Sequence, residues 1–414
     1  MIQKGKYAKL VMVSEKNNNK YYEMKELNGI IDITYGRIEL TSIKTSKPMS
    51  HWDKIYKSKL KKGYQDMTHL VSTEPDITII DGTPKGNGLD IITCTTTKSF
   101  MTKMFSYTNN LVSKTYSVKA DVVSEAQVKE AQKLINDLMK IDPSKKGAEK
   151  KINENLLKLY MTIPRYMSNT RSHLLPNIDL NKCIIQEQDN LDAMVAQVNL
   201  IKKEKLKAEK ITNKNSKTPT KKKEEKSLLD VLGVKMKEGK VTKELQYLID
   251  QIKSDTHHTI AGILTAEKSS EDKIFNQWLS KQKNKETRLL IHGTRCTSVI
   301  PIIEQGLKIR PSGNFNFSGK AYGDGNYFSE VVKKSLNYTG YDHDKVLLVY
   351  EVHTGKPYIY DGWYRGNSFV LSYNELSKRG FDSTQVNAGN GLLNSEIIAY
   401  KEEQCRLKHI IWLN

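Results

Sequence analysis

The segment Leu289-Leu-Ile-His-Gly-Thr-Arg295 decides the fold of the carboxyl-terminal half of the chain. Its apolar start predicts a strand that delivers His292 and Gly293 to a polar turn. Gly-Asp-Gly-Asn-Tyr-Phe follows at residues 323–328, where glycines let a flat ring approach the backbone and aromatic side chains cover it. A short helix is predicted next, and it carries Lys334, Ser335 and Tyr338. The segment therefore predicts a binding site for a planar ligand.

These elements resemble the NAD-binding signature of the poly(ADP-ribose) polymerase family, which reads His-Gly-Ser/Thr-Arg, then Gly-x-Gly-x-Tyr-Phe, then Ser-x-x-Tyr. The family also has a glutamate on a late strand, and Glu396 in Leu-Leu-Asn-Ser-Glu-Ile-Ile-Ala-Tyr matches that context. The resemblance implies a catalytic triad of His292, Tyr327 and Glu396. Four ordered elements over roughly a hundred residues are far more specific than one lone Gly-x-Gly.

The same resemblance implies how NAD+ is bound. Backbone groups of Gly293 and the hydroxyl of Ser335 would hold the nicotinamide carboxamide, and Tyr327 and Tyr338 would flank the pyridinium ring. His292 would hold the adenosine ribose. The further residues that the resemblance places at NAD+ are Thr294, Lys308 and Lys334. NAD+ is expected as a substrate, and no metal is expected.

Glu396 bears on the type of product. In relatives a glutamate at this position accompanies polymer formation, so the resemblance favours poly(ADP-ribose) over transfer of single units. A carboxylate in an apolar strand is costly unless it is paired or used in chemistry, whereas His292 or Tyr327 alone would more often be a core residue. Asp324 stands where relatives often have a basic or small residue. Its carboxylate would weaken NAD+ binding or point outward.

The composition bounds the class of protein. A chain of 414 residues predicts about two to four domains. No window approaches the roughly 18 to 20 apolar residues of a membrane span, and we expect no membrane partner and no signal peptide. The cysteines lie far apart without a paired metal spacing. We expect the nucleus in a eukaryotic host, and otherwise a cytoplasmic, DNA-associated protein.

The charge points to a partner. The sequence has 66 Lys and Arg residues against 47 Asp and Glu residues, a formal net charge of +19. A basic surface attracts nucleic acid because it neutralises phosphates and releases counterions. The alternative is a general bias of the proteome toward lysine.

Residues 1–70 predict a small β-rich domain. Strands are predicted at 7–13, 21–27, 30–34 and 37–43, with a turn at Asn28-Gly29, and a helix is predicted at 51–60. The segment is similar to the domain named for its Trp-Gly-Arg (WGR) triplet, here Tyr35-Gly36-Arg37. The resemblance implies that Tyr35 and Arg37 bind a DNA end. Tyr35 could instead be a core tyrosine of the sheet.

The middle of the chain predicts a linker at 71–97 and a helical domain at 98–201. Ser124 and Gln127 form a capping-box pattern before one apolar stripe, and further helices are predicted at 152–161 and 184–200. The segment resembles the regulatory helical domain of DNA-dependent polymerases of the family. That resemblance implies a bundle that limits access to NAD+ until DNA is bound. A purely structural bundle is the alternative.

Residues 202–226 predict a lysine-rich linker with 11 Lys and 4 Glu, either mobile or a frayed helical extension. Residues 227–414 would form the ADP-ribosyltransferase domain, with helices around Leu245–Ile252 and Ile274–Leu279 and buried strands at 346–352, 397–400 and 408–413. No Gly-x-Gly-x-x-Gly opens a long helix, which argues against a Rossmann fold. The fold class is therefore α+β multidomain: a small β-rich domain, an all-α regulatory bundle and a mixed α/β split-sheet transferase domain.

These observations lead to a functional hypothesis. We expect a DNA-dependent NAD+ ADP-ribosyltransferase that modifies proteins, including itself, with poly(ADP-ribose) in a DNA damage and DNA repair response. DNA ends or nicks and acceptor proteins are the expected partners, and the oligomeric state is open. The alternatives are a mono-ADP-ribosyltransferase and a catalytically silent scaffold that binds DNA ends.

Overall fold

The computed structural model describes residues 5–70, 88–212, 227–310, 322–360, 372–389 and 392–414, without the side chains of 204–212. The chain divides into two compact units. Of the described residues, the first unit holds 5–70 and 110–198, and the second holds the others. Residues 71–87, most of the predicted linker, lie outside the described residues.

The amino-terminal part of the first unit is a five-stranded antiparallel sheet with one helix. Its elements are β1 (Tyr7–Ser14), β2 (Asn18–Leu27), β3 (Ile30–Arg37), β4 (Ile43–Pro48), α1 (Trp52–Lys61) and β5 (Gln65–Asp66). The strand order is β4-β3-β2-β1-β5. Asn28 and Gly29 take positive φ angles of 51° and 79° at the β2–β3 turn, as the sequence predicts. Leu10, Met24 and Ile33 pack with Trp52 in the core.

The predicted strand at residues 37–43 is wrong. β3 continues to Arg37, and β4 begins only at Ile43. Between them the chain turns, with the N–H of Leu40 donating to the carbonyl of Arg37 at 3.1 Å. Leu40 and Ile43 are 67% and 54% exposed, so the apolar residues that suggested a buried strand are not in the core.

Helices form the rest of the first unit. They are α2 (Thr95–Thr115), α3 (Glu125–Lys140), α4 (Ala148–Thr162) and α5 (Leu180–Thr212), of which α2 and α5 also contribute residues to the second unit. The predicted capping box is confirmed, because the side chains of Ser124 and Gln127 each bond the other's backbone N–H. α5 extends to Thr212, so the start of the lysine-rich segment is helical. Residues 213–226 lie outside the described residues.

A buried ion pair lies inside the helical part of the first unit. Arg165 bonds Glu187 of α5, and their side chains are 4% and 8% exposed. The Arg165 guanidinium also lies 5.2 Å from the ring centroid of Tyr116 and 4.6 Å from that of Tyr160. The carbonyl of Arg165 accepts a hydrogen bond from the Asn19 side chain at 3.1 Å. Arg165 therefore joins α5, through its side chain, to the sheet residue Asn19, through its backbone carbonyl.

The second unit contains two further sheets. Its strands are β6 (Lys235–Glu238), β7 (Ile260–Glu267), β8 (Thr287–Thr294), β9 (Asn326–Phe328), β10 (Lys345–His353), β11 (Pro357–Tyr360), β12 (Ser383–Val386), β13 (Glu396–Ala399) and β14 (Cys405–Leu413). One sheet has the order β6-β7-β14-β10-β8 and is antiparallel, and the other has the order β11-β12-β13-β9. An isolated bridge between Ile291 and Ser329 connects β8 to the residue after β9. The split-sheet arrangement matches the predicted fold class of this domain.

Short helices cover these sheets. They are α6 (Leu228–Leu232), α7 (Lys243–Asp255), α8 (Ser269–Ser280), α9 (Cys296–Gln305), α10 (Val332–Leu336) and α11 (Tyr373–Lys378). The predicted stripe of α7 is buried, with Leu245 and Ile252 against Leu347 and Ile411 of the sheet. α11 lies in a region where little helix was predicted.

One local prediction in this unit is wrong. His292 and Gly293 lie within β8 rather than in a turn after it, because the strand continues to Thr294 before α9 begins.

No helix in the described part of the chain is long and apolar enough to cross a membrane. Within the same residues, no group of three or more His, Cys, Asp or Glu side chains is arranged to hold a metal ion. All four cysteines are free thiols.

Candidate active site

The backbone of Gly293 faces outward from the edge of a sheet. β8 is the last strand of its sheet. The backbone N–H and C=O of Ile291 point away from β10 and exchange hydrogen bonds of 2.9 and 3.0 Å with Ser329. Peptide groups of residues two apart in a strand point to the same side. The N–H and C=O of Gly293 therefore also point away from β10. They present the donor and acceptor that a primary carboxamide needs.

Gly293 also has to be glycine. A Cβ at this position would lie 1.8 Å from the carbonyl oxygen of Ser335 in α10. The strand can approach α10 this closely only without a side chain. Ser335 is buried, and its hydroxyl lies 3.4 Å from the carbonyl oxygen of Ile291. The structure thus brings Gly293 and Ser335 together at one end of β8.

His292 is held in one orientation by the backbone of Tyr327. Its Nδ1 lies 3.0 Å from the Tyr327 carbonyl oxygen, and since a carbonyl can only accept, Nδ1 carries the hydrogen. Burial lowers the pKa of His292, against a smaller opposing effect of this hydrogen bond. The ring is therefore neutral near pH 7, and Nε2 is left as an acceptor for a hydroxyl group.

Tyr327 is fixed by two hydrogen bonds at its hydroxyl. It donates to the Gly323 carbonyl at 2.9 Å and accepts from the Tyr322 N–H at 2.8 Å. Burial is the main cause that raises the pKa of Tyr327. The neighbouring Gly325 has no room for a side chain, because a Cβ would lie 2.5 Å from Ile398 Cγ2. The Gly-x-Gly pattern therefore serves close packing of β9 on β13.

Glu396 begins β13 and carries a buried charge. Its Oε1 lies 2.8 Å from Nζ of Lys334, and the two side chains are 6% and 15% exposed. The hydroxyl of Tyr338 lies 3.5 Å from the same oxygen. Burial and the nearby Glu396 charge raise the pKa of Tyr338 to about 12, so this hydroxyl stays a donor. Tyr338 itself is 39% exposed, so the ion pair adjoins a residue that is in contact with solvent.

The remaining predicted NAD+ residues lie on the same unit with different partners. Lys308 pairs with Glu402 at 2.7 Å, and the N–H of Ile309 donates to the other Glu402 oxygen at 3.0 Å. Thr294 is buried and pairs with Val346 in the β8–β10 ladder. Lys308 is therefore not an isolated cation, since a carboxylate shares its charge.

Asp324 lies close enough to Tyr327 for its charge to contribute to the raised pKa of that tyrosine, although burial is the main cause. The carboxylate thus stands next to the predicted site.

The predicted DNA-binding residues lie in the first unit. The Tyr35 ring packs against Tyr22, with centroids 5.3 Å apart. The Arg37 guanidinium donates to the carbonyl oxygens of Met167 and Ser168 at 3.1 and 3.0 Å. It also donates to the backbone and side-chain oxygens of Asn17. Tyr35 and Arg37 thus have well-defined protein partners in this structure.

Two features of the site had no signal in the sequence. The pairing of Lys334 with Glu396 joins residues that are 62 positions apart, and Glu402 reaches Lys308 across 94 positions. Neither contact follows from local spacing. The apolar context of Glu396, by contrast, already indicated that its carboxylate would be either paired or used in chemistry.

Sequence comparisons identify the family. Residues 239–362 match the poly(ADP-ribose) polymerase catalytic domain. The chain is 56% identical over 171 residues to "Putative poly [ADP-ribose] polymerase-like 100L" of Invertebrate iridescent virus 6, covering 41% of this chain and 93% of that one. This chain belongs to the poly(ADP-ribose) polymerase family. The matched domain is an ADP-ribosyltransferase domain that uses NAD+ as its substrate.

Other relatives extend the similarity over different lengths. "Uncharacterized protein 101L" of the same virus is 44% identical over 195 residues, which are 46% of this chain and 77% of that one. "Poly [ADP-ribose] polymerase 1" of Gallus gallus is 25% identical over 323 residues, covering 70% of this chain and 30% of that one. The domain match at 239–362 includes His292, Tyr327 and Tyr338 but ends before Glu396. The case for Glu396 therefore depends on its geometry.

Proposed function

We propose that this poly(ADP-ribose) polymerase family member is a DNA-stimulated enzyme that transfers ADP-ribose from NAD+ to proteins, including itself, and extends it into chains. The observation that carries the proposal is the buried Glu396–Lys334 pair, 2.8 Å apart, next to the exposed ring of Tyr338. Tyr327 lies on β9, which pairs with the strand that begins at Glu396. His292 precedes Gly293 on β8, and the Ile291–Ser329 bridge connects β8 to the residue after β9. Together they offer groups for both ends of NAD+.

Binding would begin with the nicotinamide. The outward N–H and C=O of Gly293 match the carboxamide, and the Ser335 hydroxyl adds a further polar group. The rings of Tyr327 and Tyr338 would lie against the cationic pyridinium, where each such contact contributes about 0.5 to 2 kcal/mol. Nε2 of His292 would accept a hydrogen bond from a hydroxyl of the adenosine ribose. These contacts hold the leaving group rigidly.

The reaction breaks the bond between the nicotinamide nitrogen and the ribose carbon. The electron pair leaves with neutral nicotinamide, and positive charge develops on the sugar. Glu396 would accept a hydrogen bond from the adjacent ribose hydroxyl and stabilise that charge. The same carboxylate would orient the acceptor hydroxyl and take up its proton as the new bond forms. Lys334 would keep Glu396 in place.

Helix contacts support regulation by the helical domain. Asp344 of the transferase region is 3% exposed and accepts hydrogen bonds from Lys103 and Tyr107 of α2 at 2.9 and 2.8 Å. Glu304 of α9 accepts from Asn199 and Lys203 of α5 at 3.1 and 2.7 Å. Moving α2 would leave Asp344 with the Trp412 indole N–H but without two of its donors, and moving α5 would remove two donors from Glu304. Loss of partners by a buried carboxylate is costly. We propose that DNA binding supplies that energy and loosens access to NAD+.

DNA binding itself would reside in the amino-terminal sheet. Residues 1–70 carry 14 Lys and Arg against 7 Asp and Glu, and Tyr35 presents part of an aromatic ring. A basic surface with aromatic faces is typical of proteins that contact DNA backbone and bases together. We propose a WGR-like role for this sheet in a DNA damage response, in the nucleus of a eukaryotic host or beside DNA elsewhere.

The test is labelled-NAD+ incorporation by the purified chain, with and without blunt-ended or nicked DNA. The expected result is a ladder of products that DNA stimulates. Glu396→Gln is expected to collapse the ladder, because the amide cannot take up the acceptor proton. Glu267→Gln is the matched control, since Glu267 is an exposed residue at the end of β7.

Three other results would change the proposal. A single labelled band that survives Glu396→Gln would indicate a mono-ADP-ribosyltransferase. A ladder of equal intensity without DNA would remove the DNA dependence. No incorporation at all, with DNA binding intact, would leave only the scaffold alternative.

A further inference from the structure

Three tyrosine rings of the amino-terminal sheet surround the ammonium group of Lys59 on α1. Nζ of Lys59 lies 3.7 Å from the ring centroid of Tyr22, 5.6 Å from that of Tyr35 and 5.4 Å from that of Tyr64. Tyr22 packs against both other rings, at centroid distances of 5.3 and 6.4 Å. We call these four residues the tyrosine–lysine cluster. It places a cation directly beside the aromatic residue of the Tyr-Gly-Arg triplet.

Among the described residues, the Lys59 ammonium has no anionic partner. In the described part of the chain, it makes no ion pair and no side-chain hydrogen bond, although Lys6 and Lys9 of the same sheet both pair with carboxylates. Burial is the main cause that lowers the pKa of Lys59, and the charge of Lys62 is the second. A partly desolvated cation without a counter-ion gains more from an incoming anion than a fully hydrated one does. The cluster is therefore suited to bind an anionic group.

Arg37 is in the opposite situation. Its two terminal nitrogens donate to Asn17, Met167 and Ser168, and its Nε lies 3.7 Å from Glu39. Its side chain is only 19% exposed. A phosphate could reach this guanidinium only by displacing several of these hydrogen bonds. Arg37 thus serves to connect the sheet to residues 167–168.

On the basis of the DNA binding proposed above, we propose that Lys59 supplies the phosphate contact next to Tyr35 and that Arg37 does not. The Tyr35 ring would stack on an end nucleotide, and the Lys59 ammonium would pair with a phosphate of that strand. Lys61 and Lys62, both exposed at the end of α1, would extend the positive surface along the backbone. Aromatic stacking beside a cation is a common way to bind a nucleic acid end without reading its sequence.

The test measures binding of a fluorescent, 5′-phosphorylated blunt duplex to the full chain over a series of salt concentrations. Each phosphate contact makes the slope of log affinity against log salt more negative by about 0.9. Lys59→Gln is expected to weaken binding several-fold and to reduce the magnitude of this slope by about one. Lys59→Arg is expected to keep the slope, because it keeps the charge.

Two controls isolate the effect. Lys57→Gln removes an exposed lysine from the same helix, about 200° around the axis from Lys59, and is expected to change the slope less. Arg37→Gln is expected to lower the thermal midpoint of unfolding while it leaves the salt slope unchanged. A normal thermal midpoint for Lys59→Gln would show that the variant is folded.

The outcomes separate this inference from the proposed function. An unchanged slope for Lys59→Gln together with a slope of reduced magnitude for Arg37→Gln would overturn the inference and leave DNA binding in place. Equal losses for Lys57→Gln and Lys59→Gln would also overturn it, since any surface lysine would then suffice. No binding by the wild-type chain would overturn both proposals.

Discussion

Among the described residues, two buried ion pairs, Arg165–Glu187 and Lys334–Glu396, look alike but have different surroundings. Arg165 and Glu187 are 4% and 8% exposed and lie against the rings of Tyr116 and Tyr160. Lys334 and Glu396 are 15% and 6% exposed. The first pair is enclosed by aromatic rings, whereas the second adjoins Tyr338, which is 39% exposed.

The difference indicates what each pair does. A buried charge pair generally gives a protein no more stability than an apolar pair of the same size. The enclosed pair can only position helices, because no ligand reaches it. The open pair places a carboxylate next to a solvent-exposed residue, and we propose that its use in the reaction offsets the cost of removing this charge from water. On that proposal, enclosure separates the structural ion pair from the one that acts in catalysis.

The largest expected effect on stability is at the enclosed pair. Glu187→Gln leaves the Arg165 guanidinium buried without its counter-ion, and we expect a loss of about 3 to 5 kcal/mol. The loss in the free energy of unfolding is measured by urea unfolding and by hydrogen exchange in α3, α4 and α5. Glu130→Gln is the control, since Glu130 forms an exposed pair with Lys133 and should cost less than about 1 kcal/mol. Equal losses in the two variants would contradict the structural role.

Substitution in the open pair should reduce enzymatic activity more than stability. Lys334→Met removes the ammonium that positions Glu396, and we expect transfer to fall by about 10- to 100-fold through kcat, as for loss of a supporting contact. Lys333→Met, on the exposed face of α10, is the matched control. Steady-state kinetics with NAD+ give the result. A stability loss as large as that of Glu187→Gln with normal kcat would show that this pair is structural as well.

The pH dependence should differ between the wild-type chain and a His292 variant. Burial lowers the folded-state pKa of His292 below the ordinary value of 6.5. Above pH 6.5 the ring is neutral in both the folded and the unfolded chain, and the stability that depends on the neutral ring is fully present. Below pH 6.5 the unfolded chain binds a proton that the folded chain does not, so stability falls. His292→Gln should make the acid-side decline in the thermal midpoint shallower. An unchanged decline would contradict the buried, neutral ring.

The smallest effect is expected at the opening of the site. Tyr338→Phe removes a hydroxyl 3.5 Å from Glu396 but keeps the ring. We expect a change in stability within about 0.5 kcal/mol and a KM for NAD+ within a few-fold of wild type. Tyr338→Leu removes the aromatic face and should raise KM more. If the two variants had the same KM, stacking on the pyridinium would not occur at this residue.

Much of the transferase site was predictable because local sequence carries it. Gly293 and Gly325 are required by close backbone contacts, and glycine leaves a recognisable pattern. The apolar flanks of Glu396 likewise indicated that its carboxylate would be buried. The secondary structure followed periodicity, with the confirmed cap at Ser124 as the clearest case.

The rest depends on contacts between distant parts of the chain. Arg37 reaches Met167 and Ser168 across 130 and 131 residues, and nothing near the triplet indicates it. The wrong strand at 37–43 has a similar origin, because Leu40 and Ile43 are apolar but remain exposed. Pattern alone cannot decide whether an apolar residue finds a partner. The position of the Lys59 ammonium among the three tyrosine rings likewise became visible only in the structure.

The most direct test of the central claim is nicotinamide release from NAD+ by the wild-type chain, Glu396→Gln and Glu187→Gln, at a temperature where all three are folded. We expect Glu396→Gln to lose about 100-fold or more in kcat, the lower range for a missing acid–base group. Glu187→Gln should release nicotinamide at a rate close to that of the wild type. Undiminished release by Glu396→Gln would contradict the assignment of the open ion pair as the catalytic one.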